Sequence, residues 1–315
     1  MKTYLVTGGS GFIGSNICKL LLNKGYFVIS FDNNSRKKIK YQKIIHKNIK
    51  YIDGNILDFK SLNKIDKKIH GIFHLAFING TKFFYQYPEK VLNVGVVGIL
   101  NIINFAKKKK IKEFYLASSS EVYQTPNKIP TDEDEIMKIP NAYNPRCSYG
   151  GAKILSELIA INYGKPFLKK MIIFRPHNVY GSNMGSEHVI PEIIKKIVNA
   201  KKKRKNFISI QGSGNETRTF NYIDDFIDGI NVLIDKSRGF NTYNIGSKQE
   251  ISIKQLINKM FKIMNLKMNI KLSKLTKGST LRRKPSILKI SKLGYKPKVT
   301  IQNGLKKTIE WYLKN

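Results

Sequence analysis

At 315 residues, with 41% hydrophobic content, 17 Phe and 16 Tyr, the chain can bury the core of one large domain or two modest ones, which excludes disorder as its main state. A net charge of +36 would ordinarily point to nucleic acid or an anionic surface. Only 8 of the 57 basic residues are arginine, the lysines run through the whole chain, and Ile and Asn are abundant too; this is a compositional bias, no nucleic-acid motif accompanies it, and nucleic-acid binding is not expected.

Met1-Lys2-Thr3 leads straight into strand-like Tyr4-Leu5-Val6, so neither a signal peptide nor a membrane span is expected. Thr7-Gly8-Gly9-Ser10-Gly11-Phe12-Ile13-Gly14 is the turn after that strand. Ile13, Ile17, Leu20 and Leu21 then recur at helical spacing, and Phe27–Phe31 forms a second strand ending at Asp32. Strand, glycines at 8, 11 and 14, helix, strand and terminal acid make a βαβ unit shaped for a dinucleotide. Gly8 permits the tight turn, Gly11 lets backbone approach a pyrophosphate, and Gly14 lets the helix lie close on the sheet. Asp32 would accept hydrogen bonds from a ribose 2′-OH and repel a 2′-phosphate, which favours NAD over NADP.

Further strands are expected at Ile49–Ile52, Gly71–Ala76, Glu113–Ala117 and Met171–Phe174, with helices over Pro88–Ala106 and about Pro145–Tyr163. Such alternation predicts an α/β fold: a Rossmann-like, doubly wound parallel sheet. Past residue 180 the alternation breaks into a smaller mixed region, with helical patterns near 224–235, 252–264 and 301–313. We therefore expect a dinucleotide-binding domain over 1–180 and a mainly substrate-binding region over 181–315. Cys18 and Cys147 lie far apart on predicted helices, which suggests a reduced, cytoplasmic setting. Five scattered histidines without ligand spacing predict no metal site. The acidic run Asp132–Glu135 reads as a solvated loop.

The chemistry centres on two stretches, Ser118-Ser119-Ser120-Glu121-Val122-Tyr123 and Tyr149-Gly150-Gly151-Ala152-Lys153. A tyrosine and a lysine four apart share one helix face. A phenol with pKa about 10 is a poor base at neutral pH, but a neighbouring ammonium lowers that value. The serines follow the apolar run Phe114–Ala117, so they sit at the carboxyl end of a strand, where open α/β sheets place their ligands.

In their order these motifs resemble the extended short-chain dehydrogenase/reductase family, in its nucleotide-sugar epimerase/dehydratase branch. The resemblance takes in nearly the whole chain: the glycine turn, Asp32, Phe73-His74-Leu75-Ala76, Asn93, the Ser/Tyr/Lys set, Arg175–Gly181, Arg218 before Tyr222–Asp225, Tyr243–Gly246 and Arg282-Arg283-Lys284-Pro285. It implies tightly bound NAD, held by Gly8, Gly11, Phe12, Ile13, Gly14, Asp32, Asn55, Ile56, Leu75, Ala76, Asn93, Ser118, Tyr149 and Lys153. It implies that Tyr149 takes the proton from a sugar hydroxyl, usually at C4, while Lys153 lowers the tyrosine pKa and Ser119 shares the proton. Ser120, Asn178, Arg218 and Arg283 would bind the nucleotide-diphosphate sugar, the arginines as diphosphate clamps. It further implies a homodimer through the helices that carry Pro88–Ala106 and Tyr149, with no membrane or nucleic-acid partner. Departures from the family pattern are Asn55 in place of an aspartate, Gln124 in place of glycine, Ser182 in place of proline and Ser286 in place of aspartate.

Glu121 separates the outcomes. Simple epimerases often carry a small or neutral residue there, whereas dehydratases carry glutamate, commonly after an aspartate; here Ser120 precedes it. Ser-Glu occurs in GDP-mannose dehydratase-like members, and with Arg283-Lys284-Pro285 it also resembles UDP-glucuronic acid decarboxylases. The leading expectation is an NDP-sugar epimerase acting through C4 oxidation. Decarboxylation, 4,6-dehydration and net C4 oxidation stay open, as do a Glu121 that merely anchors its loop and a non-catalytic NAD- or sugar-nucleotide-binding protein.

Overall fold

The first half of the chain follows the predicted alternation closely. In the computed structural model, which describes residues 1–35, 43–273 and 280–315, β1 (Thr3–Thr7) leads into α1 (Phe12–Asn23), β2 (Phe27–Asp32), β3 (Ile49–Asp53) and the short α2 (Phe59–Leu62). Next come β4 (Gly71–His74), α3 (Thr81–Gln86), α4 (Pro88–Lys108) and β5 (Glu113–Ala117). A 3-10 turn at Ser120–Tyr123 precedes α5 (Cys147–Gly164) and β6 (Lys170–Pro176). The second half opens with β7 (Val179–Tyr180), α6 (Val189–Lys202), β8 (Phe207–Gln211), β9 (Thr217–Thr219), β10 (Asn221–Tyr222) and α7 (Ile223–Lys236). It ends with β11 (Phe240–Ile245), β12 (Glu250–Ser252), α8 (Ile253–Ile263), β13 (Asn269–Ser273), β14 (Arg282–Arg283), α9 (Leu288–Lys292) and α10 (Ile301–Lys314).

Seven parallel strands form the main sheet in the order β11-β6-β5-β4-β1-β2-β3. Both faces are covered, so the strands carry apolar residues at nearly every position. Side chains alternate across the sheet: Tyr4, Val6, Val28, Phe73 and Tyr115 enter the core on one side, while Leu5, Ile29, Phe31, Ile72 and Phe114 enter the core on the other. The strand order reverses between β1 and β4, and a crevice opens at their carboxyl ends.

Two features of the fold were not read from the sequence. The sheet takes its seventh strand, β11, from beyond residue 180: Tyr243 and Asn244 lie opposite Phe174 and Arg175. The region expected mainly to bind substrate therefore also completes the main sheet. α4 is long and apolar enough, by length and composition, to cross a membrane. Its Val91, Ile99, Ile102 and Ile103 are nevertheless buried in the protein, and Gly95 packs directly against Ala152 of α5.

Arg175, which stands among the substrate-side motifs in the sequence, is a buried strut. Its guanidinium donates to both oxygens of Glu157 at 2.9 and 2.6 Å and to the Tyr123 hydroxyl at 2.6 Å. The acidic run is likewise built into the structure: Glu133 accepts the Asn244 amide at 2.7 Å, and its own carbonyl accepts from Arg175. Arg282, by contrast, bonds Glu250 at the surface.

Removing one partner of a buried pair leaves an uncompensated charge, so Arg175→Met should lower unfolding stability by about 3–5 kcal/mol. Arg282→Met should leave the urea midpoint near the parent value. Equal midpoints for the two variants would contradict the structural role given to Arg175.

Candidate functional site

The glycine turn is shaped by close approach. Gly8 has φ +72°, and a Cβ there would lie 2.8 Å from the Ala76 amide nitrogen. A Cβ on Gly14 would come within 2.0 Å of the Gly8 carbonyl, whereas one on Gly11 would meet only that carbonyl, at 3.2 Å. Gly8 and Gly14 are thus needed for packing, and Gly11, whose amide donates to the Gly8 carbonyl at 3.0 Å, leaves space for a ligand to approach the turn closely. Thr7 fixes the opposite wall: its hydroxyl accepts from the Leu75 and Ala76 amides and lies 2.8 Å from His74 Nδ1. Burial pushes His74 down to about 3, so it is neutral. At the end of β2, Asp32 accepts the Ser10 amide at 3.0 Å and the Asn34 amide at 2.8 Å. An open turn beside a carboxylate that faces the cleft fits the adenosine half of a dinucleotide.

On α5, Tyr149 and Lys153 stand one turn apart at the carboxyl end of β5. Tyr149 is stacked on Phe84 at 4.6 Å and meets Phe77 edge to face at 5.2 Å. Lys153 Nζ donates to the Ala117 carbonyl at 2.7 Å. Burial drives its ammonium down to about 7, against the raising effect of Glu157. The charged form of this lysine is therefore less favoured than its residue type suggested. Ser119 caps the 3-10 turn through the Glu121 amide at 3.1 Å, which aims the serines into the same space.

The far end of the cleft is cationic. β14 pairs with β9 so that Arg283 lies opposite Arg218. Arg283 Nη1 donates to Glu121 at 2.7 Å, and Arg146 Nη2 stands 3.9 Å from the same oxygen. Burial alone would raise the Glu121 carboxyl; Arg283, with Arg146 and Arg218, outweighs it and holds the group down at about 2. Arg146 Nε and Arg283 Nε are buried with no hydrogen-bond partner among the described residues. Arg218 donates to the Thr217, Thr280 and Leu281 carbonyls.

Every candidate residue read from the sequence lines this one cleft of about 760 Å³, large enough for a cofactor and part of a substrate. A smaller cavity of about 410 Å³, near Tyr4 and Lys170 at the opposite edge of the sheet, holds none of them. Some side chains are engaged differently from the expectation. Arg283 holds Glu121, and Asn178, at φ +42°, donates to the Thr219 carbonyl. Arg146 and the aromatic residues Phe77, Phe83 and Phe84 also line the cleft and escaped the sequence reading. Arg146 could have been suspected, being one of eight arginines and three residues before Tyr149; the phenylalanines carry no comparable signal. Gln124 shows why glycine suits its position: it sits at φ +51°, ψ −112°, a strained conformation for a residue with a side chain. Its amide donates to the Glu121 carbonyl at 2.8 Å, and Gly150 leaves it room.

A family model described as GDP-mannose 4,6 dehydratase matches residues 5–308. The chain is 30% identical, over 99% of its length and 98% of the other's, to a protein of Bacillus cytotoxicus named UDP-N-acetyl-alpha-D-glucosaminuronate decarboxylase. It is 29% identical to a UDP-glucuronate 4-epimerase of Thermodesulfobacterium geofontis, over 100% of this chain and 97% of that one. Among solved structures, a UDP-glucose 4-epimerase of Thermotoga maritima with UDP-glucose superposes with a TM-score of 0.87 at 26% identity, covering 99% of each chain.

The ion pair of Glu121 has a pH signature. Its folded pKa of about 2 lies below the ordinary 4.5, so its stabilisation is complete above that value and is lost as pH falls toward 2. The difference is about 3 kcal/mol at neutral pH. Between pH 6 and 3 the urea midpoint of the parent protein should fall more steeply than that of Glu121→Gln, and parallel curves would refute the assignment.

Proposed function

The chain belongs to the GDP-mannose 4,6-dehydratase family of extended short-chain dehydrogenase/reductases, and from that premise we propose that it is an NAD-dependent enzyme that oxidises a nucleotide-diphosphate sugar at C4 and returns it as the C4 epimer. One observation carries this reading: the Ser119, Tyr149 and Lys153 side chains stand in a single cleft between the glycine turn and the arginine cluster. Gly8, Gly11, Phe12, Ile13 and Gly14 would hold the pyrophosphate, with Asp32 and Asn55 at the adenosine end. Leu75, Ala76, Asn93 and Ser118 would surround the nicotinamide half.

When bound, NAD supplies an acceptor for the C4 hydride. Tyr149 takes the C4 hydroxyl proton onto its phenolate oxygen, Ser119 hydrogen-bonds that hydroxyl, and the Lys153 charge favours the phenolate. Arg218, Arg283 and Asn178 hold the diphosphate, and Ser120 contacts the sugar. Epimerisation then requires the C4 keto sugar to turn and take its hydride back on the other face.

A second reading, decarboxylation of a nucleotide-linked uronate, is favoured by the surplus of guanidinium over carboxylate around Glu121. A sugar carboxylate would fit beside Arg146, and a C4 keto uronate is a β-keto acid that loses CO₂. Dehydration is less well supported, because Ser120 stands where an acid would protonate the leaving hydroxyl; ionised Glu121 supplies a base only. Cytoplasmic location and a homodimer through α4 and α5 complete the proposal, supported for the dimer by exposed Leu92, Val97, Leu155 and Leu158.

Mass spectrometry of products from UDP-, GDP-, CDP- and dTDP-sugars separates the outcomes: unchanged mass with altered retention for epimerisation, loss of CO₂ or of water for the others. Tyr149→Phe should lower turnover about 10²–10⁴-fold while NAD still binds. Undiminished turnover in that variant would exclude the mechanism, and no product from any sugar would favour a non-catalytic binding protein.

A further inference from the structure

The loop after β4 places an aromatic ring against both members of the Tyr149–Lys153 pair. Lys153 Nζ lies 3.8 Å from the Phe77 ring centroid, closer than its 5.9 Å to the Tyr149 ring. The same Phe77 ring meets Tyr149 at an interplanar angle of 88°. Its place is prepared by α4: a Cβ on Gly95 would lie 2.9 Å from Phe77 Cζ and 2.6 Å from Ala152 Cβ. Phe77 packs on a small apolar cluster of Phe84, Val91 and Tyr149, separate from both cores of the main sheet. The ring is therefore held in a fitted slot and is not a loose side chain at the rim.

We propose that Phe77 is a positioning residue that sets the working pH of the site, its ring face holding the charge of buried Lys153 while its contact with Tyr149 keeps the phenol beside that charge. The proposal rests on the reading that Tyr149 and Lys153 carry the proton transfer.

Among the described residues Glu157 is the charged neighbour that favours the ammonium, and the Phe77 ring face acts beside it. Glu157, one turn along α5, is already bound through both oxygens by Arg175. His74, from β4, is neutral because burial pushes it down to about 3. From β5 the lysine receives only a carbonyl dipole, that of Ala117. Tyr149, on its own helix, gains negative charge only when it acts as base. A cation over an aromatic face is attracted by the ring quadrupole, the more so where water is excluded. An aliphatic side chain would fill the slot at Gly95 and supply no such attraction. The sign follows directly: without the ring face the ammonium is less favoured, its pKa falls, and activity that needs charged lysine is lost at lower pH.

Phenylalanine analogues bearing one to three fluorines at position 77 keep the shape of the ring and progressively drain its face. Lys153 is followed by ¹³C NMR of its Cε in lysine-labelled protein, with the signal identified by its loss in Lys153→Met. Its titration midpoint should fall stepwise with fluorine number, by up to about one pH unit. The alkaline limb of kcat/KM should move by the same amount, and Phe77→Leu should resemble the trifluorinated protein. An unmoved midpoint across the series overturns the proposal, as does a loss of kcat that is uniform with pH. The NMR titration does not depend on turnover. A shifting midpoint without any nucleotide-sugar product would therefore support the role of Phe77 while defeating the catalytic reading. Product formation with an unmoved midpoint would defeat the Phe77 proposal alone.

Discussion

The buried contact between Arg175 and Glu157 joins the parts of the molecule that form the site. Arg175 comes from β6 and Glu157 from α5, so the two-oxygen pairing sets the helix that bears Tyr149 and Lys153 against the sheet. The third arm reaches Tyr123, which closes the turn bearing Ser120 and Glu121. Tyr123 in turn donates to Asn244 of β11 at 2.9 Å, and Asn244 donates to the Thr131 carbonyl. Thr131 exchanges backbone hydrogen bonds with Lys284 and Ser286, so the same network reaches the segment that presents Arg283. A fully paired, dehydrated network of this kind specifies one arrangement, because any partial version leaves charge in a low-dielectric interior.

From that frame the cleft acquires an ordered variation in polarity. Its cofactor end carries an acceptor, Asp32, and a turn left uncrowded by the missing side chain of Gly11. Its middle is aromatic and dry around Tyr149 and Lys153. Its far end is positive, with three arginines set around Glu121. Each region favours a different chemical event: recognition of a ribose, proton transfer under weak screening, and capture of an anion. The pattern rests on where a few scarce arginines are fixed, Arg218 and Arg283 by the pairing of β9 with β14 and Arg146 at the start of α5.

Much of the site was legible because its chemistry requires particular residues at short spacing. Gly8, Gly11 and Gly14 answer to one turn, and Tyr149 and Lys153 to one helical face. The aromatic wall was not legible, since a phenylalanine in Phe77-Ile78-Asn79 reads like any core residue until α4 and α5 are packed against it. Arg175 and Arg283 illustrate the same limit in opposite directions. Both are motif arginines, yet one is a buried strut and the other lies in the cleft, and only the geometry of β6 and β14 separates them. The contribution of β11 to the main sheet was hidden because a strand is assigned to a sheet by its neighbour, not by its own six residues.

The sequence by itself determined the parallel α/β sheet, the dinucleotide turn and the Ser119–Tyr149–Lys153 set, because each is written in local periodicity or in one turn of backbone. Tertiary structure alone decided that Glu121 is held ionised by arginines, that Lys153 is buried under an aromatic ring, and that Arg175 is a strut. These are properties of environment: a charge's stability depends on the water it loses and the partners it meets, and here those partners come from residues up to 162 positions away.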